Sequence, residues 1–196
     1  MQTDQAIYKY LSTGVEAFRI LTNGIQLSGE YQFHSTTIKS LERRIDALFI
    51  PKDHDGPTYL IEFQAQWSIT ARYNLLTKIG LDGEEHPQQQ IQGILIFADH
   101  KYEAVDTRNK SPDVFENLIQ VIYLDDFLPN LLNQEPNNPF VAIFAPLILN
   151  NEIKLEQQAP ILWQTIHNAN IDTTIRNNLQ QILECWFLER FTCKTP

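Results

Sequence analysis

The hydrophobic and polar positions of the chain predict an α/β protein with a helical C-terminal part. Near the N-terminus, apolar residues from Ile7 to Leu21 recur at helical spacing and predict one helix over about residues 4–22. Farther along, runs rich in β-forming residues alternate with turn signals and with further helical stretches. In chain order, these runs predict strands at 31–38, 44–50, 58–66, 91–97 and 118–124, and helices at 68–81, 155–169 and from Asp172 onward.

The order of these elements predicts one α/β domain followed by a helical C-terminal extension. The composition shifts after Pro129, where an Asn- and Pro-rich stretch separates short apolar runs. We therefore expect an α/β domain over residues 1–130 and a helical extension over 131–196, packed on that domain or on a second copy of the chain. The last helix carries an apolar stripe with Trp186 and Phe187, which suits either an intramolecular core or a homodimer interface.

Composition and charge exclude several classes of protein. The chain has 196 residues, of which 43% are hydrophobic and 20% charged, so it can bury a core and is not a disordered tail or a coiled-coil rod. Fifteen Lys and Arg against 24 Asp and Glu give a net charge of −9, which excludes bulk electrostatic attraction to nucleic acid but leaves a local basic patch possible.

The cysteines and the N-terminal sequence predict a cytoplasmic protein without a membrane partner. Cys185 and Cys193 form no CxxC motif, so a reducing compartment is the simplest interpretation. The N-terminus has no basic region followed by an apolar run, as a secretory signal would require. The longest apolar stretch, Phe140 to Leu149, is much shorter than the roughly 20 residues that a membrane-spanning helix needs.

The third predicted strand carries polar residues on one face only. Because strand side chains alternate, Glu62, Gln64 and Gln66 share one face, and the opposite face is almost wholly apolar. Three polar residues in succession are costly on a buried face and unremarkable on a face that lines a cleft or meets water. Arg44, on the preceding strand, is expected to face Gln64 across the hairpin.

The length of the hairpin loop predicts how the second and third strands pair. Leu48 is expected opposite Leu60, and Asp46 opposite Glu62, with about 5 Å between the Cβ atoms of each pair. Two carboxylates at that distance repel, so something must compensate for their charge. A divalent cation, neutralisation by Arg44, or a proton held on one carboxyl would each do so.

An acidic residue on one strand, a hairpin, and a Glu-x-Lys-type motif on the next strand resemble the PD-(D/E)XK nuclease superfamily. Its restriction-endonuclease-like core runs helix, three-strand antiparallel meander, helix and further strands in a mixed sheet, in the order predicted here. Arg44-Ile45-Asp46-Ala47 together with Glu62-Phe63-Gln64-Ala65-Gln66 is similar to the branch of recombination-promoting nucleases and transposase-like proteins, which often has Gln where Lys is usual. The resemblance covers most of the chain, including the segment 182–187 of the last helix.

The resemblance implies a metal-dependent endonuclease that hydrolyses DNA phosphodiester bonds, with a link to mobile-element recombination. Asp46 and Glu62 would ligate Mg²⁺ or Mn²⁺, helped by the backbone carbonyl of Phe63, and the ion would lower the pKa of a bound water and stabilise charge on the phosphate. Gln64 would take the position of the superfamily's catalytic lysine, where its amide could orient a water without carrying positive charge. The alternative is a catalytically weak or inactive binding or assembly module.

Other residues are candidates for contacts with substrate or around the metal. The helix after the third strand flanks the active site in this superfamily, and some members have an extra acidic ligand on the first helix. Each of the candidates also suits an ordinary solvated or core position. They are Gln66, Arg72, Tyr73, Lys78, Arg44 and Glu16.

Overall fold

The fold is described from a computed structural model of the chain. The described residues are 3–38, 43–104, 118–149 and 151–192. Their strands are β1 (Tyr31–Ile38), β2 (Arg43–Pro51), β3 (Thr58–Gln64), β4 (Ile91–Phe97) and β5 (Ile119–Tyr123). Their α-helices are α1 (Thr3–Leu11), α2 (Val15–Leu21), α3 (Ala71–Glu85), α4 (Leu124–Gln134), α5 (Pro139–Ala142), α6 (Ala145–Ile148), α7 (Glu152–His167) and α8 (Thr173–Thr192).

Within the described ranges, the strands form one five-stranded mixed sheet in the order β1-β2-β3-β4-β5. The first three strands are an antiparallel meander, and β4 and β5 continue the sheet parallel to β3. Parallel neighbours need a crossover connection, and α3 provides it between β3 and β4. The predicted α/β class with a mixed sheet is therefore confirmed.

The register of the β2–β3 hairpin agrees with the prediction where the structure records it. Leu48 pairs with Leu60, and the flanking pairs extend over residues 47–49 and 59–61. The same register continued by one residue would pair Asp46 with Glu62, which stays a prediction. The side chains of Asp46 and Arg44 lie outside the described residues.

Helix α3 covers one face of the sheet and forms an apolar core with it. Gly93 permits this close packing, because a Cβ added there would lie 2.6 Å from Ile79 Cδ1 and 3.1 Å from the Leu118 carbonyl oxygen. Burying each large aliphatic side chain contributes about 1.5–3 kcal/mol. The buried residues of this core are Leu48, Leu60, Ala71, Leu75, Ile79, Leu95, Phe97 and Ile119.

The single helix predicted over 4–22 is wrong, because the structure has two helices there. Gly14 separates α1 from α2 and has φ +116°, a left-handed conformation that a helix interior does not allow. Just before it, the Thr13 hydroxyl donates a hydrogen bond to the Tyr10 carbonyl. Apolar residues on both sides of the break are buried, so the hydrophobic pattern continues across it.

The boundaries predicted around α3 also need correction. Strand β3 ends at Gln64 rather than Gln66, and the helix runs from Ala71 to Glu85 instead of over 68–81. Ser68 does not cap this helix, whose N-cap position is Thr70. The turn signal at Gly83 does not end the helix, because a single glycine costs only about 1 kcal/mol there.

The chain divides into two compact units, which are described separately. One unit, Leu21–Leu124, holds the sheet and α3, and we call it the sheet unit. The other, Met1–Ile20 together with Asp125–Pro196, is the helical unit. This grouping differs from the predicted division after residue 130, since the N-terminal segment joins the C-terminal helices.

Contacts of Tyr10 help to join the N-terminal segment to the C-terminal helices within the helical unit. Its hydroxyl donates a hydrogen bond of 2.9 Å to the Phe140 carbonyl, and its ring meets Phe144 edge-on with centroids 5.1 Å apart. Burial raises the pKa of this hydroxyl well above its usual value. A contact between residues 130 positions apart leaves no signal in the local pattern.

The structure bears on two further predictions. No helix among the described residues is long and apolar enough to cross a membrane. Cys185 is buried, and burial raises the pKa of its thiol. Cys193 lies outside the described residues, as does most of the charged segment between β4 and β5.

Candidate functional site

The polar face predicted for β3 lies beneath helix α3. Leu60 belongs to the core that α3 covers, and alternation along the strand directs Glu62 and Gln64 to the same side. The Glu62 side chain is only 14% exposed and the Oε1 atom of Gln64 is buried, so neither group is displayed on an open surface. Burial makes their hydrogen-bond partners the main determinant of their chemistry.

Glu62 forms a buried ion pair with Lys78 of α3. The Lys78 ammonium donates to Glu62 Oε2, and the two side chains are only 6% and 14% exposed, respectively. A lysine this buried is rare unless it is paired, because an isolated ammonium loses its hydration. Lys78 thus supplies a positive charge at the predicted site. It adds to the three ways of compensating the carboxylate charge that the sequence suggests: a divalent cation, Arg44 or a bound proton.

A signal for this pair exists in the helix pattern. The buried face of α3 contains Ala71, Leu75 and Ile79, and Lys78 lies among them together with Asp82. A charged residue in the apolar stripe of a covering helix must meet a partner on the surface beneath it. The sequence could therefore have predicted a buried partner for Lys78, although not which strand supplies it.

Gln64 presents an unsatisfied oxygen at this site. Its Oε1 atom is buried and accepts no hydrogen bond from the described part of the chain. Buried side-chain carbonyls are nearly always satisfied, so we expect a partner outside the described atoms, such as the Arg44 side chain, a water or an ion. A carboxylate and an amide oxygen are both donors of the kind that Mg²⁺ and Mn²⁺ prefer. The residues present therefore fit a divalent cation.

Phe63 lies between these two residues, and its side chain is buried. Strand alternation directs that side chain to the face opposite Glu62 and Gln64, so only its backbone can contribute to the site. Ligation by its carbonyl stays a prediction.

Arg72 is the counter-ion of a second buried acid, Glu103. Its Nε donates to Glu103 Oε1 at 2.9 Å, with a second bond from Nη2, and the Tyr123 hydroxyl donates to Oε2. The Glu103 side chain is 1% exposed. Tyr123 is itself stacked on Phe97 and His100, which hold its ring in place. Contact of Arg72 with a phosphate stays a prediction.

The sequence patterns do not single out Glu103 as a candidate residue. It follows the short 3₁₀ turn His100–Tyr102, in the segment between the strands predicted at 91–97 and 118–124. Its burial depends on Arg72, which is 31 positions earlier, and on Tyr123, which is 20 positions later. No periodicity within the segment distinguishes it from a solvated acid.

Two other candidates are more exposed than their predicted roles require. Tyr73, for which the sequence also suits a position in the core, is 50% exposed on α3. Gln66 is exposed and lies beyond the end of β3, so it no longer follows the alternation that placed it beside Gln64. Arg44 cannot be compared, because its side chain is outside the described residues.

Glu16 belongs to the helical unit and already has partners there. Arg19 contacts its two carboxylate oxygens at 2.7 and 2.9 Å, and Asn138 donates to Oε1 at 3.2 Å. The hydrogen bonds from Arg19 hold the pKa of Glu16 below its usual value. A role of Glu16 as an extra metal ligand stays a prediction.

The fold and site define an α/β protein with a mixed sheet and an acid–lysine pair buried under its crossover helix. Residues 3–196 match the model of the family described as "Protein of unknown function (DUF2887)", and the chain belongs to that family. No curated protein matches the chain.

Proposed function

We propose that the sheet unit is a restriction-endonuclease-like core of the PD-(D/E)XK type, which hydrolyses DNA phosphodiester bonds with Mg²⁺ or Mn²⁺. The observation that carries the proposal is on β3, where the Glu62 carboxylate, a suitable metal ligand, and the buried Gln64 Oε1 atom, which could orient a water, share one strand face. The recorded hairpin register, continued by one residue, would add Asp46 as a second carboxylate ligand.

In this proposal each residue has a distinct task. Asp46, Glu62 and the Phe63 carbonyl would hold the metal ion, which would supply a water of lowered pKa and stabilise charge on the phosphate. Gln64 could accept a hydrogen bond from a water through Oε1 and so orient it. The low exposure of the site strengthens each of these polar interactions relative to bulk water.

A second candidate function is an inactive binding or assembly module on the same fold. The Lys78–Glu62 pair favours it, because the ammonium already compensates the carboxylate without any metal. Gln64 also lacks the charge that a lysine would bring to the phosphate. The two candidates differ in whether a divalent ion binds to Glu62.

The test is nicking of supercoiled plasmid with Mg²⁺ or Mn²⁺, with a chelator as the metal-free comparison. We expect metal-dependent nicking by the wild type and a loss of about 100-fold or more in Asp46→Ala and Glu62→Gln, since groups that stabilise transition-state charge are worth about that much. Glu85→Gln, at an exposed position of α3, is the matched control and should cut like the wild type.

Two results would contradict the proposal. Undiminished nicking by both folded variants would overturn the assignment of Asp46 and Glu62 as the active site. No nicking with either ion, together with no heat of Mn²⁺ binding in calorimetry of the folded wild type, would favour the inactive module. Circular dichroism of each variant establishes that it is folded.

A further inference from the structure

A positive charge lies at the candidate site although Gln64 occupies the lysine position. We infer that Lys78 supplies it from the helix: in the metal-free protein its ammonium is the counter-ion of Glu62, and with metal bound it turns to the phosphate of the substrate. The inference rests on the proposed function and adds a residue to it.

The contact geometry carries the first half of this inference. Lys78 Nζ donates to Glu62 Oε2, one of the oxygens that a metal ion would use. An ammonium and a divalent cation on the same oxygen repel each other, so the two compete for it. Metal binding should therefore weaken the ion pair between Lys78 and Glu62.

Burial carries the second half. The Lys78 side chain is 6% exposed, so an ammonium released from Glu62 cannot simply turn into solvent. It needs another anionic acceptor within the site, because a buried charge without a partner is strongly unfavourable. A phosphate oxygen of a substrate bound at the metal would meet that need, and the three N–H donors of an ammonium allow it to reach such an oxygen from several directions.

A purely structural ion pair makes different predictions for two variants. If Lys78 only stabilises the fold, then Lys78→Gln lowers the melting temperature but leaves kcat of the folded protein unchanged at saturating metal. If Lys78 contacts the phosphate, kcat falls even when metal is saturating. Moving the charge to the strand, in the double variant Gln64→Lys/Lys78→Gln, should then restore cleavage, since Gln64 and Glu62 share a face.

The first experiment is calorimetric titration of Mn²⁺ without DNA. We expect Lys78→Gln to bind Mn²⁺ about tenfold more tightly than the wild type, because a like charge next to a carboxylate weakens cation binding by about that factor or more. Lys52→Gln removes an exposed lysine and should leave the affinity unchanged. An unchanged affinity in Lys78→Gln would overturn the competition between ammonium and metal.

The second experiment measures plasmid nicking at saturating Mn²⁺. We expect kcat to fall about 100-fold in Lys78→Gln and to recover at least tenfold in the double variant. Equal kcat in Lys78→Gln and wild type, or no recovery in a folded double variant, would overturn the inference while leaving the proposed function intact. Failure of the wild type to cut at all would instead overturn the proposed function, and the phosphate contact with it.

Discussion

At the scale of single residues, the buried carboxylates of Glu62 and Glu103 in the sheet unit have different surroundings. Glu62 has a lysine, whose point charge can turn toward another acceptor. Glu103 has the planar guanidinium of Arg72 and the hydroxyl of Tyr123, which is stacked between two rings. We therefore expect the first pair to rearrange more easily than the second, which the fork of the guanidinium and the stacked ring hold in place.

We therefore expect Glu103 to matter for stability. Glu103→Ala leaves the Arg72 guanidinium, whose side chain is 15% exposed, without its carboxylate, and removal of one partner of a buried ion pair typically costs about 3–5 kcal/mol. Urea unfolding monitored by circular dichroism measures the change in the free energy of unfolding. Glu85→Gln, on an exposed position, should stay within about 0.5 kcal/mol of the wild type.

The variant Tyr123→Phe distinguishes the contribution of Tyr123 to the stability of the buried Glu103 from that of Arg72. It removes the hydroxyl that donates to Oε2 while keeping the ring, so we expect a loss of about 1 kcal/mol. A loss in Glu103→Ala no larger than that of Tyr123→Phe would contradict the assignment of Arg72 as the main partner.

The residues of the candidate site differ in how far the sequence predicts them. The alternation along β3 and the loop length predict that Glu62 and Gln64 share a face and that Leu48 pairs with Leu60. They do not predict that α3 buries this face, nor that Lys78, 16 positions after Glu62, forms an ion pair with it. Strand period is a local property, whereas the cover over a strand depends on packing between distant segments.

At the scale of elements, the strands are predicted to within a residue or two, and the helices less well. Strand runs are bounded by turn residues, which mark their ends directly. Helix α4 is missed because Pro129 interrupts its pattern, although the structure accommodates that proline inside the helix. The boundary at Gly14 is missed for the opposite reason, because the apolar periodicity continues across it.

Two glycines, one at the break between α1 and α2 and one inside α3, provide a matched test of the backbone conformation at that break. Gly14 has φ +116° and no neighbour near an added Cβ, so Gly14→Ala should cost about 1–2 kcal/mol from backbone strain alone. Gly80 lies on the exposed side of α3 with equal space, so Gly80→Ala should stabilise by about 0.5–1 kcal/mol.

Urea unfolding of both variants is the measurement. The two substitutions add the same methyl group in open space, so a difference in sign reports the backbone conformation and not the packing. A neutral or stabilising effect of Gly14→Ala would mean that the turn between α1 and α2 relaxes to a negative φ.

At the scale of the whole molecule, the net charge of −9 restricts how the proposed nuclease would bind DNA. A negatively charged chain gains little from the phosphate backbone, so attraction must come from a metal ion and from a few local cations. Among the described residues, the candidate cations Lys78 and Arg72 are each paired with an acid. If the proposed nuclease uses only such local cations, its affinity for substrate should depend on the metal.

The salt dependence of DNA binding tests this expectation. Because each neutralised phosphate contributes about −0.9 to the slope of log K against log salt, we expect a slope no steeper than about −3 for the wild type in chelator. Fluorescence anisotropy of a labelled duplex measures it, and an uncharged peptide-nucleic-acid duplex of the same sequence reports binding that involves no phosphate. A slope near −6 or steeper would contradict the local mode of binding, because it would require several further Lys or Arg side chains to contact the backbone together.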